Sequence, residues 1–344
     1  MHRDLSGLYV CPFTKSRLSL EKAMPATGAS VSSGLLVGSQ YSYPIKDGIP
    51  DFVRKAQLTK LEIDTQLEYD QVAEQFYDAA LDWLFESFYE KEEDVREFML
   101  DQLKLSPISK VLEVGCGTGR DSFRIARRLG GQGVLFLQDL SPKMVEKTKG
   151  LFEKEFNAKY KLAPQINFFI SNATNLPFPD GYCDCIFHFG GFNNFGDQKA
   201  TLEEFCRITK KGGRIVFGDE SLPPWLEGTT FGEIIYTNNS LFRHKVPLST
   251  LPVSARNVTL RWVLGGCFYL IDFVVGEGEP PVNLDLPHKG RRGGTLRTRY
   301  FGQLEGVTLE AKKAAIEAAK RKGVSLHEWL DSVVRERAKK DLGS

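Results

Sequence analysis

Residues 110–114 form an almost unbroken apolar run (Val111, Leu112, Val114), whereas Phe123, Ile125, Ala126 and Leu129 just after it keep helical spacing. The run has the length and composition of a buried strand, and the spacing after it predicts an amphipathic helix. Between them stand Gly115, Gly117 and Gly119. Glycines in that position allow backbone conformations that a Cβ opposes, and let a ligand lie against bare main chain at a helix N-terminus. A second apolar strand at 133–138 ends in Asp139, and Ser141-Pro142 opens the next helix. A strand is expected at 183–187, then a helix from Leu202, a Lys-Gly-Gly turn and a strand to Asp219. Residues 257–264 and 267–275, separated by Gly265-Gly266, predict two antiparallel strands that close a sheet. Strands alternating with helices in this way define an α/β protein with a doubly wound sheet.

The flanks differ. Residues 57–104 place Leu67, Leu81, Leu84, Phe85, Phe88, Val95, Met99 and Leu103 at helical spacings. Residues 276–294 are rich in Pro and Gly and predict a loop. At the C-terminal end Thr308 caps a helix, Gly323 ends it, and Ser325 with Glu328 forms a capping box for a second helix. Leu326, Trp329, Leu330, Val333 and Val334 lie on one face of that second helix, and an alternating strand is expected before the pair at 297–304.

The loop Glu113-x-Gly115-x-Gly117-x-Gly119 resembles the first motif of class I S-adenosylmethionine-dependent methyltransferases; the dinucleotide spacing Gly-x-Gly-x-x-Gly would need glycine where Arg120 stands. Residues 133–144, 172–187 and 202–219 resemble the following motifs of that family in order, and the pattern is similar to that of its quinone-biosynthesis, small-molecule branch. The resemblance implies a Rossmann-like seven-stranded sheet and S-adenosylmethionine as cofactor. It implies contacts from Tyr69, Glu113, Gly115, Cys116, Gly117, Gly119, Asp139, Leu140, Met144, Asn172, Ala173, Thr174 and His188, with Asp139 accepting from both ribose hydroxyls. The segment 69–78, with Tyr69 and Tyr77, resembles the cover that such enzymes place over the methionine end. Asn172 departs from the family, which often has an acid there.

Residues 8–20 and 38–53 resemble small zinc-ribbon domains of the Trm112 type, but Thr14 replaces the partner of Cys11 and residues 38–40 replace the second cysteine pair. One thiolate cannot make a structural zinc site, so a ribbon without metal is expected, with a flexible stretch at 23–34. The C-terminal helices resemble ribbon-helix-helix dimers of the Arc type. These readings divide the chain into a ribbon (1–56), a methyltransferase domain (57–275) with a substrate-covering insertion at 221–252, a linker (276–300) and a helical tail (301–344).

The 344 residues are 42% apolar and 26% charged with net charge +1, which gives no reason to expect a polyanionic partner for the whole chain. From Lys289 onward, however, 14 Lys/Arg face 7 Asp/Glu. No apolar run of spanning length and no leader-like core stands out, so a cytoplasmic protein without a membrane span is expected. The six cysteines read as core fillers, with Cys183 and Cys185 on one strand face. Because methyl transfer rests on alignment, a base is needed only if the acceptor must lose a proton; His188 and His244 are the candidates, with Asp219 and Glu220 also in position. The expected function is methylation of a quinone, phenol or other small, partly apolar metabolite by a homodimer paired through its tail, with nucleic acid not expected as a partner. RNA methylation is the second enzymatic reading, and a cofactor-binding regulator whose tail holds DNA or a partner is the third.

Overall fold

A computed structural model describes the chain apart from residues 26–29, 73–76, 157–162, 292, 302–306 and 344. It divides into two compact units, Met1–Pro280 and Pro281–Ser344.

Within the first unit, β5 (Lys110–Val114) lies at the centre of a seven-stranded sheet with β6 (Val134–Asp139) and β7 (Gln165–Ile170) on one side. On its other side run β8 (Cys183–Phe189), β9 (Thr209–Glu220), β11 (Phe268–Val275) and, at the edge, β10 (Ala255–Val263). The strands from β7 to β9 pair in parallel. β10 and β11 form the antiparallel closing pair expected from the sequence, and because β11 is antiparallel to both β9 and β10 it alone opposes the sheet direction. This is the Rossmann-like methyltransferase order. The order reverses at β5, so the carboxyl ends of β5 and β8 part and leave the crevice in which such sheets bind ligands.

Helices α3 (Glu92–Asp101), α4 (Arg120–Arg128), α5 (Pro142–Leu151) and α6 (Gln198–Ile208) cover the sheet, and α7 (Thr230–Asn238) lies in the segment after β9. The strands are apolar on both faces because both faces are covered. Cys183 packs into one apolar layer and Cys185 into the other. The pairing register with β9 shifts between these cysteines, where two residue steps on β8 stand against five on β9. That overturns the expectation of a shared face. The Lys-Gly-Gly segment likewise belongs to β9, with Gly212 left-handed at φ 83.

At the N-terminus, β1 (Ser19–Pro25), β2 (Val31–Val37), β3 (Ser42–Lys46) and β4 (Ile49–Pro50) make an antiparallel sheet. Strands therefore occupy much of the stretch expected to be flexible, whose remainder lies outside the described residues. The ribbon joins the main sheet at the β7 edge: Phe52 N–H donates to Ile170 O at 2.8 Å, and Val10 N–H to Pro177 O at 3.1 Å. Tyr9, buried, packs within 5.2 Å of Phe52 and 5.8 Å of Phe178 (ring centroids). Covering an edge strand in this way removes a template for aggregation. Cys11 Sγ lies 3.1 Å from the Tyr43 hydroxyl. Burial pushes the thiol up, but hydrogen bonds from Thr14 and Tyr43 outweigh it and hold it below the ordinary range.

Helices α1 (Lys60–Val72) and α2 (Tyr77–Ser87) follow the ribbon. The second unit holds α8 (Leu296–Phe301), α9 (Leu309–Lys322) and α10 (Leu326–Leu342). α8 replaces the start of the expected strand, whose last residues lie outside the described ones. Its cause is local: Thr295 and Thr298 bond each other's N–H groups through their hydroxyls, at 3.0 and 3.2 Å, as a reciprocal cap. Thr308 caps α9, Gly323 ends it at φ 70, and Ser325 with Glu328 makes a capping box. No described helix is long and apolar enough to cross a membrane.

Phe52 is 2% exposed at the junction of ribbon and sheet. Phe52→Ala should cost about 3–5 kcal/mol in denaturant unfolding, the usual range for emptying a packed aromatic site. A loss below 1 kcal/mol would show that the ribbon is not part of the cooperative core.

Candidate functional site

The site is built on the turn between β5 and α4. Gly115, Gly117 and Gly119 have φ of 68, 52 and 88, a left-handed region that favours glycine. A Cβ at Gly115 would also sit 3.3 Å from the His188 ring. The loop is fixed from β6: Gly117 N–H donates to Asp139 Oδ2 at 2.9 Å, while Asp139 Oδ1 accepts from Ser141 N–H, also at 2.9 Å. Gly115 N–H donates to Gln138 Oε1 at 3.2 Å. Asp139 is thus held at the strand tip by backbone donors. Burial raises its carboxyl to about 6 against the pull of those donors.

Two cavities adjoin at this turn and share Tyr69, Gly115, Gly117, Gly190 and Gly191. One is bounded by Asp139, Leu140, Ala173, Asn172 and His188, with Glu62 and Gln66 of α1 above. The other is bounded by Glu113, Cys116, Arg96 and Asp121 on the loop side, and by Phe85, Phe189, Leu264 and Phe268 opposite. Helix α1 is tied over the first by Gln66 Nε2 donating to Leu140 O at 2.7 Å and Ser141 Oγ to Asp70 at 2.5 Å. Arg120 staples α2 and α3 over the loop, with Asp78 at 3.1 Å and Asp82 and Glu92 at 2.8 Å.

Asn172 donates through Nδ2 to Glu62 Oε1 at 2.8 Å and accepts the Thr174 N–H at 3.1 Å. Where the family often has an acid, the carboxylate therefore arrives from α1. Glu62 escaped the sequence reading because only the tertiary approach of α1 brings it there; its one local sign is its bond to Thr59 N–H at 2.7 Å, a helix-start signature.

The structure separates the expected contacts. Tyr69, Glu113, Gly115, Cys116, Gly117, Asp139, Leu140, Asn172, Ala173 and His188 line the two cavities. Gly119, Met144 and Thr174 line neither. Gly119 is the left-handed N-cap of α4, and Met144 is buried in the first turn of α5. The Tyr77 side chain and residues 73–76 lie outside what is described.

His188 places Nδ1 2.7 Å from Val114 O. A carbonyl only accepts, so Nδ1 carries the proton and Nε2 is an acceptor without a partner among the described residues. Burial lowers its pKa, opposed by that hydrogen bond, and its ring packs 4.8 Å from Phe195. It borders the Asp139 cavity and not the apolar one. His244 is exposed and lines neither. The insertion also departs from expectation: Trp225 is 66% exposed, and Phe231 and Tyr236 do not line the cavities. Phe242 of that segment instead backs the wall residue Phe268, with ring centroids 5.3 Å apart.

Glu113, 3% exposed, leaves Oε2 without a partner, and Asp121 Oδ1 is also unpaired. Burial and then Asp121 push the Glu113 carboxyl well up. Arg96 pairs with Asp121 and Glu92. Among the described residues no His/Cys/Asp/Glu group suited to a metal ion is found.

Residues 105–254 match a family model described as a methyltransferase domain. Over 114 residues the chain is 36% identical to the ubiquinone/menaquinone biosynthesis C-methyltransferase UbiE of Francisella philomiragia, covering 33% of this chain and 44% of that protein. The same enzyme from Francisella tularensis subsp. novicida is 35% identical over 113 residues, covering 33% and 43%. The chain thus spans less than half the length of the curated relatives it matches. A solved geranyl diphosphate C-methyltransferase of Streptomyces coelicolor, in complex with magnesium, geranyl diphosphate and S-adenosylhomocysteine, is similar with TM-score 0.45 and 13% identity, covering 63% of this chain and 98% of that one. With the sheet order and the glycine loop, the domain match defines an S-adenosylmethionine-dependent methyltransferase domain.

The residues present fit that cofactor. A diol finds the Asp139 carboxylate, bare backbone at Gly115 and Gly117 leaves room for a close ligand, and unpaired carboxyl oxygens of Glu113 and Asp121 suit an ammonium group.

Ribose hydroxyls bind the ionised form of Asp139. Affinity for S-adenosylhomocysteine should therefore be flat above about pH 6 and fall roughly tenfold per unit below it, where a proton must first leave. The sign for the unliganded fold is opposite. A carboxyl raised above its unfolded value stabilises the fold below the unfolded pKa, and that contribution is lost as pH rises through about 6. Calorimetry from pH 4.5 to 8, with Asp139→Asn as the variant lacking this titration, checks the prediction; a pH-independent wild-type affinity contradicts it.

Proposed function

We propose that the protein transfers a methyl group from S-adenosylmethionine to a small, partly apolar acceptor of the quinone or phenol kind. One observation carries the reading: the Asp139 cavity meets a second cavity, walled by Phe85, Phe189, Leu264 and Phe268, at the turn where the sulfonium end would lie. When bound, the cofactor supplies an electrophilic methyl carbon. Tyr69, Gly190 and Gly191 border both cavities and bound the junction through which an acceptor must reach that carbon. Aligning the two reactants supplies much of the rate in such a displacement. The names of the curated relatives, which place them in ubiquinone and menaquinone biosynthesis, support a flat acceptor suited to aromatic walls.

Within this proposal His188 holds the adenosine side and is not the base, because it lines the Asp139 cavity and not the one that takes the acceptor. Incubating the protein and S-adenosylmethionine with metabolite extracts, then searching by mass spectrometry for a product heavier by one methylene, tests the activity. Asp139→Ala should weaken S-adenosylhomocysteine binding by about 1.5–3 kcal/mol, the scale of charge-assisted hydrogen bonds, and abolish product at low cofactor. Unchanged binding in that variant would remove Asp139 from the site.

The tail supports a homodimer. On α10 no residue is fully buried, Val333 and Val334 are 38% and 45% exposed, and Leu326, Trp329 and Leu330 are half-buried on the same face. Covering such side chains is worth about 1.5–3 kcal/mol each when complete, which a second copy of the same face provides. Deleting residues 308–344 should halve the mass measured by light scattering and leave cofactor affinity within about twofold, because no described tail residue lines either cavity. A truncated chain that keeps the full-length mass would refute this.

A further inference from the structure

The apolar cavity contains one acid that the cofactor reading does not use. Glu220 ends β9 and lines the cavity beside Phe189 and Phe268, with Oε2 shielded from solvent and without a hydrogen-bond partner among the described residues. Its main chain is fixed: Asn193 Nδ2 donates to Glu220 O at 2.9 Å, and β9 pairs Glu220 with Phe268 of β11. A buried acceptor left unpaired is costly, and its position facing a cavity points to a ligand donor that pairs it.

Asp219 acts on Glu220 directly, and the other groups around it are committed elsewhere or neutral. Asp219, fully buried on the same strand, accepts the N–H groups of Gly191, at 3.0 Å, and Asn193. Tyr269 on β11 and Cys267 in the turn before it have their protons held on by burial. Glu90, beyond Cys267, accepts Gly265 N–H at 2.6 Å. Across the cavity Arg96 is paired with Asp121, and Glu113 borders the glycine loop. Arg120 is paired with Asp78, Asp82 and Glu92. Burial, then Asp219 through its charge and a hydrogen bond between the two carboxyls, pushes the Glu220 carboxyl well up, which makes its ionised form a stronger proton acceptor than an ordinary glutamate.

The geometry points to Glu220 as the residue that holds the acceptor by a hydroxyl group on a flat apolar ring and takes the hydroxyl proton as methyl transfer occurs. The proposal rests on the methyltransferase reading and names the acceptor class: a phenol, enol or hydroquinone rather than an amine, thiol or unsubstituted arene. In the step, an electron pair of the acceptor forms the new bond to the methyl carbon while the carbon–sulfur bond breaks and its pair stays on sulfur. The O–H bond breaks with its proton passing to the Glu220 carboxylate. The hydroxyl oxygen, or a ring carbon made electron-rich by it, receives the methyl group.

The test uses the full chain loaded with S-adenosylhomocysteine and the matched probes 1-naphthol and naphthalene. Cofactor-product affinity is measured first, in wild type, Glu220→Leu and Glu220→Gln; its absence in wild type would sink the methyltransferase reading itself, and its retention in the variants shows that they fold. The wild type should bind 1-naphthol at least about tenfold more tightly than naphthalene, the scale of one hydrogen bond to a charged group. Glu220→Leu should erase that preference. In wild type the 1-naphthol affinity should rise with pH as the carboxyl ionises, and in Glu220→Gln that rise should vanish. Equal affinity for the two probes, no binding of either to the loaded protein, a preference that survives Glu220→Leu, or a pH response that survives Glu220→Gln would each overturn the assignment while leaving the cofactor site standing.

Discussion

The hydrogen bond from Gly117 N–H to the carboxylate of Asp139 holds the site together. It ties the loop after β5 to the tip of β6 beside the crevice, at a turn where the backbone runs left-handed and bare. The same carboxylate also fixes the start of α5 through Ser141, so loop, strand tip and helix are positioned by one side chain. Burial makes its charge costly, and the backbone donors of Ser141, Gly117 and Leu140 only partly offset that cost. The ligand's hydroxyls complete the compensation, a common reason for a binding site to be less stable empty than filled.

Around that centre the roof is held by charge and the acceptor wall by apolar packing. Arg120 binds carboxylates from α2 and α3, and Gln66 and Asp70 tie α1 to the β6 tip. The opposite wall depends on aromatic contacts such as Phe189 with Phe268, ring centroids 5.8 Å apart. This division places ionic groups around the polar cofactor and leaves Glu220 as the exception on the apolar side.

The β5–loop–α4 unit and the acid at the end of β6 were legible because periodicity, glycine chemistry and strand length depend on neighbours along the chain. The Glu62–Asn172 pair was not, since 110 positions separate its members and only packing joins them. Residues 297–304 misled for the opposite reason: a weak alternation was read as a strand, while the Thr295–Thr298 cap, a purely local signal, set a helix. Aromatic content suggested that 221–252 covers the site, but composition does not say which face a segment presents; Phe242 supports the wall from behind. The shift at Cys183 and Cys185 shows a further limit, because a strand irregularity leaves no sequence mark that alternation alone can detect.

The most direct test of the central claim is a crystal structure of the full chain with S-adenosylhomocysteine. The account predicts both ribose hydroxyls within hydrogen-bond distance of Asp139, the adenine between Leu140 and Ala173 near Asn172, and the sulfur at the junction bordered by Tyr69 and Gly191. A ligand bound elsewhere, or bound in this crevice with its ribose away from Asp139, would contradict it.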